Sequence, residues 1–209
     1  MLIELNQSSL QTYFGELCAA PIYIAHHATL HDESALNFNE TEKLTEFTSE
    51  KRKVEYILGR YALKEVLARI ALDTDTSRIS WPHANCSLSH SDGHAVAVAS
   101  KAFSGVGIDL QLNKTPPFTM ADRILSGQTL EYWQQLAELD KAKYLQRFWT
   151  ANEAIYKACP APQPAYFRHY RLHTPELLQS EASIDNTDLQ FKVFSAELKN
   201  GFISLAFRQ

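Results

Sequence analysis

The chain has 209 residues, 45% of them hydrophobic and 21% charged, the balance of a globular chain long enough to bury a substantial core as one domain or two small ones. Its formal charge is −4, from 20 basic and 24 acidic residues, so no global field favours nucleic acid or an anionic membrane, and a phosphate ligand must meet a local basic cluster. That composition excludes a disordered chain, and no stretch approaches the roughly 20 apolar residues of a membrane span. At the start, Met1-Leu2-Ile3-Glu4-Leu5-Asn6 lacks the basic and apolar regions of a secretory leader. The three cysteines, Cys18, Cys86 and Cys159, are odd in number and far apart, with no paired metal-ligand spacing. An unprocessed, cytoplasmic chain is the expectation.

Up to Asn37, the apolar run Ile22-Tyr23-Ile24-Ala25 followed by His26, His27 and His31 reads as a strand and then loops. His27 and His31 have i, i+4 spacing but neither cysteine partners nor a helical context, which argues against zinc. From Glu40 the pattern turns helical. Ser49 is placed to cap a long amphipathic helix reaching about Leu72, with Tyr56, Leu63, Leu67 and Ile70 as its apolar stripe. Its basic residues Arg52, Lys53, Arg60 and Lys64 fall largely on a related face. A polar linker at 73–77 precedes three candidate strands, 86–90, 94–100 and 105–109, with Asp92-Gly93 as a tight turn between the first two. These three are expected to form an antiparallel meander. An extended stretch with Pro116-Pro117 leads to a helical pattern over about 130–139 and a second long helix over about 140–158, stopped by Pro160, Pro162 and Pro164. Two apolar runs, 191–194 and 202–206, joined through Lys199-Asn200-Gly201, predict a closing hairpin. Each half thus offers helices and a small antiparallel sheet, so the expected fold class is α+β, with lobes at 1–103 and 104–209.

The chemistry concentrates in two segments. Gly105-Val106-Gly107-Ile108-Asp109-Leu110-Gln111 is an apolar strand that carries a carboxylate to its exposed end. In Phe148-Trp149-Thr150-Ala151-Asn152-Glu153-Ala154-Ile155-Tyr156-Lys157, Trp149, Glu153 and Lys157 share one helical face. A carboxylate and an ammonium pointing into the same space as Asp109 suit a metal-bound polyphosphate. Taken singly, Asp109 reads as a turn residue and Glu153 with Lys157 as a surface ion pair worth a few tenths of a kcal/mol. Trp149 reads as core at the lobe junction. Their joint occurrence favours a site.

With both motifs the chain resembles the Sfp-type 4′-phosphopantetheinyl transferases. Two further elements match in order: Ser87-Leu88-Ser89-His90-Ser91, and the basic helix Arg52-Lys53-Val54-Glu55-Tyr56-Ile57-Leu58-Gly59-Arg60. The resemblance implies a pseudo-twofold pair of similar α+β lobes, each with helices on a small antiparallel sheet, and an active site in the cleft between them. It implies a monomer acting on coenzyme A and an apo acyl or peptidyl carrier protein, with Mg²⁺. It also implies site roles: Asp109 and Glu153 as metal ligands and catalytic groups, Gln111 as a weaker neutral ligand, and Lys157 on the diphosphate. Ser89, His90, Arg52 and Arg60 would bind coenzyme A. The chain departs from the family pattern at Gln111, where a second acidic residue is usual, and at Asn152, where lysine is usual. These departures keep open a weakened relative that binds coenzyme A or a carrier without efficient transfer. A metal-dependent phosphohydrolase on the same acidic pair is the other alternative.

Overall fold

The computed structural model describes residues 2–29, 33–163, 166–174 and 178–208; His31 and Pro164, used above in the zinc and helix-stop arguments, lie outside them. In chain order the elements are β1 (Leu2–Ile3), α1 (Gln7–Leu17), β2 (Tyr23–His27), α2 (Phe38–Thr45), α3 (Glu50–Arg69), β3 (Cys86–Ser91), β4 (His94–Ala99) and β5 (Gly105–Leu112). They continue with α4 (Ala121–Ile124), α5 (Gln128–Gln135), α6 (Glu138–Ala158), β6 (Tyr170–Leu172), β7 (Gln179–Ile184), β8 (Gln190–Leu198) and β9 (Gly201–Arg208). The fold is α+β, and β8 and β9 form the expected closing hairpin.

Two sheets carry these strands. The smaller runs β2-β4-β3, all antiparallel, and the larger runs β5-β9-β8-β7-β6, with β1 added to β8 in parallel. The expected three-stranded meander is therefore corrected. β3 and β4 pair through the Asp92-Gly93 turn, but β5 leaves them and pairs with β9 instead. Residues 100–104 offer no two-residue turn of that kind, and Phe103 stacks on Phe207 of β9 at 4.2 Å, drawing the chain to the other sheet. β5 also meets β3, but through side chains. The backbone N–H groups of Ile108, Leu110 and Leu112 donate to the hydroxyls of Ser87, Ser89 and Ser91 at 3.1, 3.1 and 2.8 Å. Alternation along β3 sends its three serines to β5 and leaves Leu88 and His90 on the face toward α3.

The layers follow from the same alternation. Ala62, Leu63, Val66 and Leu67 of α3 pack on Ala25, Ala97 and Ala99 of the small sheet. The opposite face, with Ile24, Val96 and Val98, shares one core with Ile108, Leu110, Ile203 and Leu205 of the large sheet. Ala151, Ala154, Ile155 and Ala158 of α6 cover Phe191, Val193 and Ala206 on the outer side. Leu10 and Phe14 of α1, one helical turn apart, join the shared core. α1 is absent from the expected strand-and-loops reading of the first 37 residues; the Asn6 side chain caps it by accepting the Ser9 N–H at 2.8 Å. α3 ends at Arg69 rather than near Leu72, because Ala71 turns to a φ of 50°. Ser49 holds the N-cap position without a side-chain cap bond.

Candidate active site

β5 points Val106, Ile108 and Leu110 into the shared core and Gly107, Asp109 and Gln111 toward α6. Gly107 is required there. A Cβ on it would overlap the Ala154 carbonyl oxygen of α6, a backbone atom that can retreat only if the helix does. That approach sets Glu153 and Lys157 over Asp109. Asp109 is 3% exposed. Its Oδ1 accepts from Lys157 Nζ at 2.7 Å and Ser89 Oγ at 2.8 Å, and its Oδ2 from Gln111 Nε2 at 3.4 Å. Lys157 Nζ also donates to the Ile108 carbonyl at 3.0 Å. The ammonium is thus paired with Asp109, and no i, i+4 ion pair links it to Glu153. Burial first, then the Asp109 charge, raises the Glu153 carboxyl above the usual carboxylate range, against a downward pull from Lys157.

Two cavities of about 450 Å³ each adjoin along Leu88, His90 and Lys157, which line both. Asp109, Glu153, Gln111 and Ser89 face the first. Arg60, Trp81, Tyr156 and Gln163 face the second. His90 opens onto both and keeps an exposed edge there; desolvation among the cleft side chains, followed by the Lys157 and Arg60 charges, brings its imidazole down to about 4. Its ring lies against Gly59 of α3, where a Cβ would overlap Nε2. Arg60, one residue on, donates from Nη1 to the Thr76 carbonyl at 3.3 Å and stacks on Tyr56 at 4.9 Å.

Of the expected site residues, Asp109, Glu153, Lys157, Gln111, Ser89 and His90 come together in the first cavity, and Arg60 in the second. Ser89 has its hydroxyl engaged by Asp109 and the Leu110 N–H, so it orients the carboxylate. Arg52 is exposed and lines neither cavity. Asn152, 0% exposed, points away from the cleft and donates to the Ile124 carbonyl of α4 at 3.3 Å. Asn152 therefore presents no side chain to either cavity. Trp149, read above as core, lines the first cavity and meets Phe167 edge-on at 5.2 Å. Sequence reasoning also passed over Lys114 and Tyr156. Tyr156 carried a usable signal, since it lies three positions after Glu153 on α6.

Hard oxygen donors suit Mg²⁺, which needs only one or two protein carboxylates. Among the described residues no group of three or more His, Cys, Asp or Glu side chains gathers as a metal site. Asp109 and Glu153, with the Gln111 amide beside them, form a pair on one cavity wall, and that set fits a cation shared with a phosphate ligand. No helix among the described residues is long and apolar enough to cross a membrane.

Residues 105–203 match the family model of the 4′-phosphopantetheinyl transferase superfamily. The match begins with β5 and ends within β9, so it contains Asp109, Gln111, Glu153 and Lys157 and leaves Arg60, Ser89 and His90 outside. No curated protein matches the chain. The C-terminal half thus carries a domain of this transferase superfamily.

Proposed function

We propose that this protein transfers the 4′-phosphopantetheine group of coenzyme A to a serine hydroxyl of an apo acyl or peptidyl carrier protein, with Mg²⁺. The observation that carries the reading is the convergence of Asp109, Glu153 and Lys157 in one cavity, within the segment that matches the superfamily. The nucleotide end of coenzyme A fits the second cavity, between Arg60, Trp81 and Tyr156. His90 and Lys157, common to both cavities, then meet its phosphates where the ligand crosses into the first. Asp109, Glu153 and the Gln111 amide oxygen, once that amide turns over, would hold Mg²⁺, which neutralises charge on the diphosphate.

The remaining work falls to the chain. The carrier serine oxygen bonds to the β-phosphorus as the bond to the bridging oxygen breaks, and 3′,5′-ADP leaves with the electron pair. Glu153 takes the serine proton; a carboxyl held above its usual range is a better base for that hydroxyl near neutral pH. Lys157 moves from Asp109 toward the diphosphate, adding positive charge where negative charge develops. Pro116, Pro117, Met120 and Trp149 form an apolar wall, with Lys114 beside them, on the side of the first cavity where a small acidic helical carrier would present its serine.

The test is the intact mass of an apo acyl carrier protein incubated with this protein, coenzyme A and Mg²⁺. A gain of one phosphopantetheine, abolished by Glu153→Gln and by a chelator, is expected. No gain on any of several carriers, with coenzyme A still bound, selects the weakened relative. Cleavage of coenzyme A without a carrier selects a phosphohydrolase.

A further inference from the structure

We infer that Glu40, a buried carboxylate outside both cavities, is a positioning residue for coenzyme A: through Thr76 it fixes the direction in which Arg60 presents its guanidinium to the second cavity. The inference rests on the transferase reading only in naming coenzyme A as the ligand.

Glu40 is 0% exposed, on α2, an eight-residue helix that touches neither cavity. A buried carboxylate loses its hydration and persists only where its oxygens are fully partnered. Both are. Oε2 accepts the Asn37 N–H at 2.9 Å and pairs with Lys64 Nζ at 2.5 Å. Oε1 accepts both the N–H of Thr76, at 3.2 Å, and its hydroxyl. Burial pushes this carboxyl up, but the bonds from Lys64, Thr76 and Asn37 together hold it below its ordinary value.

The N-cap bond to Asn37 accounts for one oxygen as a capping box, a job an exposed glutamate does equally well. The other oxygen is committed to Thr76, and the chemistry continues from there. Thr76, 2% exposed, has its own carbonyl turned to Arg60 Nη1 at 3.3 Å. Arg60 is gripped at two points, by that carbonyl and by the Tyr56 ring beneath it at 4.9 Å. Its buried Nε has no hydrogen-bond partner. A guanidinium has five donors in a fixed fork. Holding Nη1 sideways leaves the Nη2 donors for an anion in the cavity that Arg60 lines, and orientation fixed before binding is worth affinity. Glu40 thus supplies the rigid end of a chain Glu40–Thr76–Arg60, and its negative charge also compensates the guanidinium held in the cleft.

The experiment is a double-mutant cycle on coenzyme A binding, by calorimetry without metal, using the full chain. Arg60→Ala is expected to weaken binding about 30-fold and Glu40→Gln about fivefold, with the double variant within about twofold of Arg60→Ala alone. In turnover, Glu40→Gln raises KM for coenzyme A and leaves kcat and the carrier KM within about twofold. If Glu40→Gln does not fold, Thr76→Val, which exchanges the hydroxyl for a methyl and keeps the N–H bond to Glu40, is put through the same cycle with a smaller effect expected. Additive effects of the two substitutions, or equal losses for coenzyme A and carrier, overturn the relay while leaving the transferase reading in place. No coenzyme A binding by the unmodified chain overturns both.

Discussion

Both long helices are brought onto their sheets by a glycine, but the two contacts are built differently. At the α6 contact glycine belongs to the strand, and what it faces is helix backbone: Gly107 against the Ala154 carbonyl and, at the strand's start, Gly105 against that of Ala158. At the α3 contact the glycine belongs to the helix and faces the end of a side chain: Gly59 against the His90 ring. Backbone cannot yield without moving the helix, whereas a ring can swing into the cleft. The first contact therefore determines whether Glu153 and Lys157 reach Asp109 at all. The second sets where the His90 imidazole and, more loosely, the Leu88 methyl beside it stand. The acidic centre is built on the less forgiving interface, and His90, between the two cavities, stands on the more forgiving one.

Gly107→Ala attacks the stricter contact and has the largest expected effect. Overpacking against backbone costs about 1–3 kcal/mol or more. Thermal unfolding should drop by many degrees, and the proposed transfer, in which Glu153 acts over Asp109, by more than about 100-fold. A stable, active variant would mean that α6 slides freely and that the distances at Asp109 are not held by this packing. Gly59→Ala attacks the looser contact. The ring must leave its place, so coenzyme A binding is expected to weaken about tenfold with less than about 1 kcal/mol lost in stability. If instead this variant unfolds as badly as Gly107→Ala, the two interfaces are equally rigid and the contrast fails.

The same contrast explains what was legible beforehand. Asp109, Glu153 and Lys157 were readable because strand and helix periods fix which neighbours share a face, and each motif lies inside one element. Asn152 obeys the same rule: one position before Glu153, it is turned about 100° around the helix, and the structure finds it against α4. Arg52 and Arg60 share a helix, but eight positions are about 12 Å along its axis, which is why only Arg60 reaches the second cavity. The pairing of β5 with β9 was out of reach, since Asp109 meets Ser204 across nearly the whole C-terminal half. Nor could the serines of β3 be read as a stitch to β5, because a repeat of serine at every second position says nothing of what accepts or donates there. α1 was hidden by its polar composition: only Leu10 and Phe14 are buried, and Asn6 as a cap was the available signal.

A milder probe of the nucleotide side is pH. With its imidazole near 4, His90 is neutral at pH 7 in the free protein. A phosphate beside it favours the charged form, so binding takes up a proton and affinity should rise as pH falls from about 7.5 to 5.5, by a fewfold. Calorimetry in two buffers of different ionisation enthalpy measures the uptake. His90→Gln should flatten the dependence. An unchanged dependence in that variant would move the titrating group elsewhere, with the ligand's own phosphate as the first candidate.

The smallest effect expected is a gain. Glu153 is held above its ordinary carboxylate range by burial and by Asp109. Between its unfolded and folded values the folded chain binds more protons, so stability falls as pH rises through that window and stays lower above it. At pH 7.5 the wild-type chain carries that cost, and Glu153→Gln removes it while keeping the shape. With chelator present, unfolding of Glu153→Gln should therefore come about 2–4 °C higher at pH 7.5, and the difference should close once the pH is low enough to protonate Glu153 in both states. A substitution that abolishes transfer while raising stability is what a residue kept for chemistry predicts. A loss of stability at neutral pH would instead mark Glu153 as part of the packing that holds α6 against β5, and would place it on the structural side of the interface that Gly107 defines.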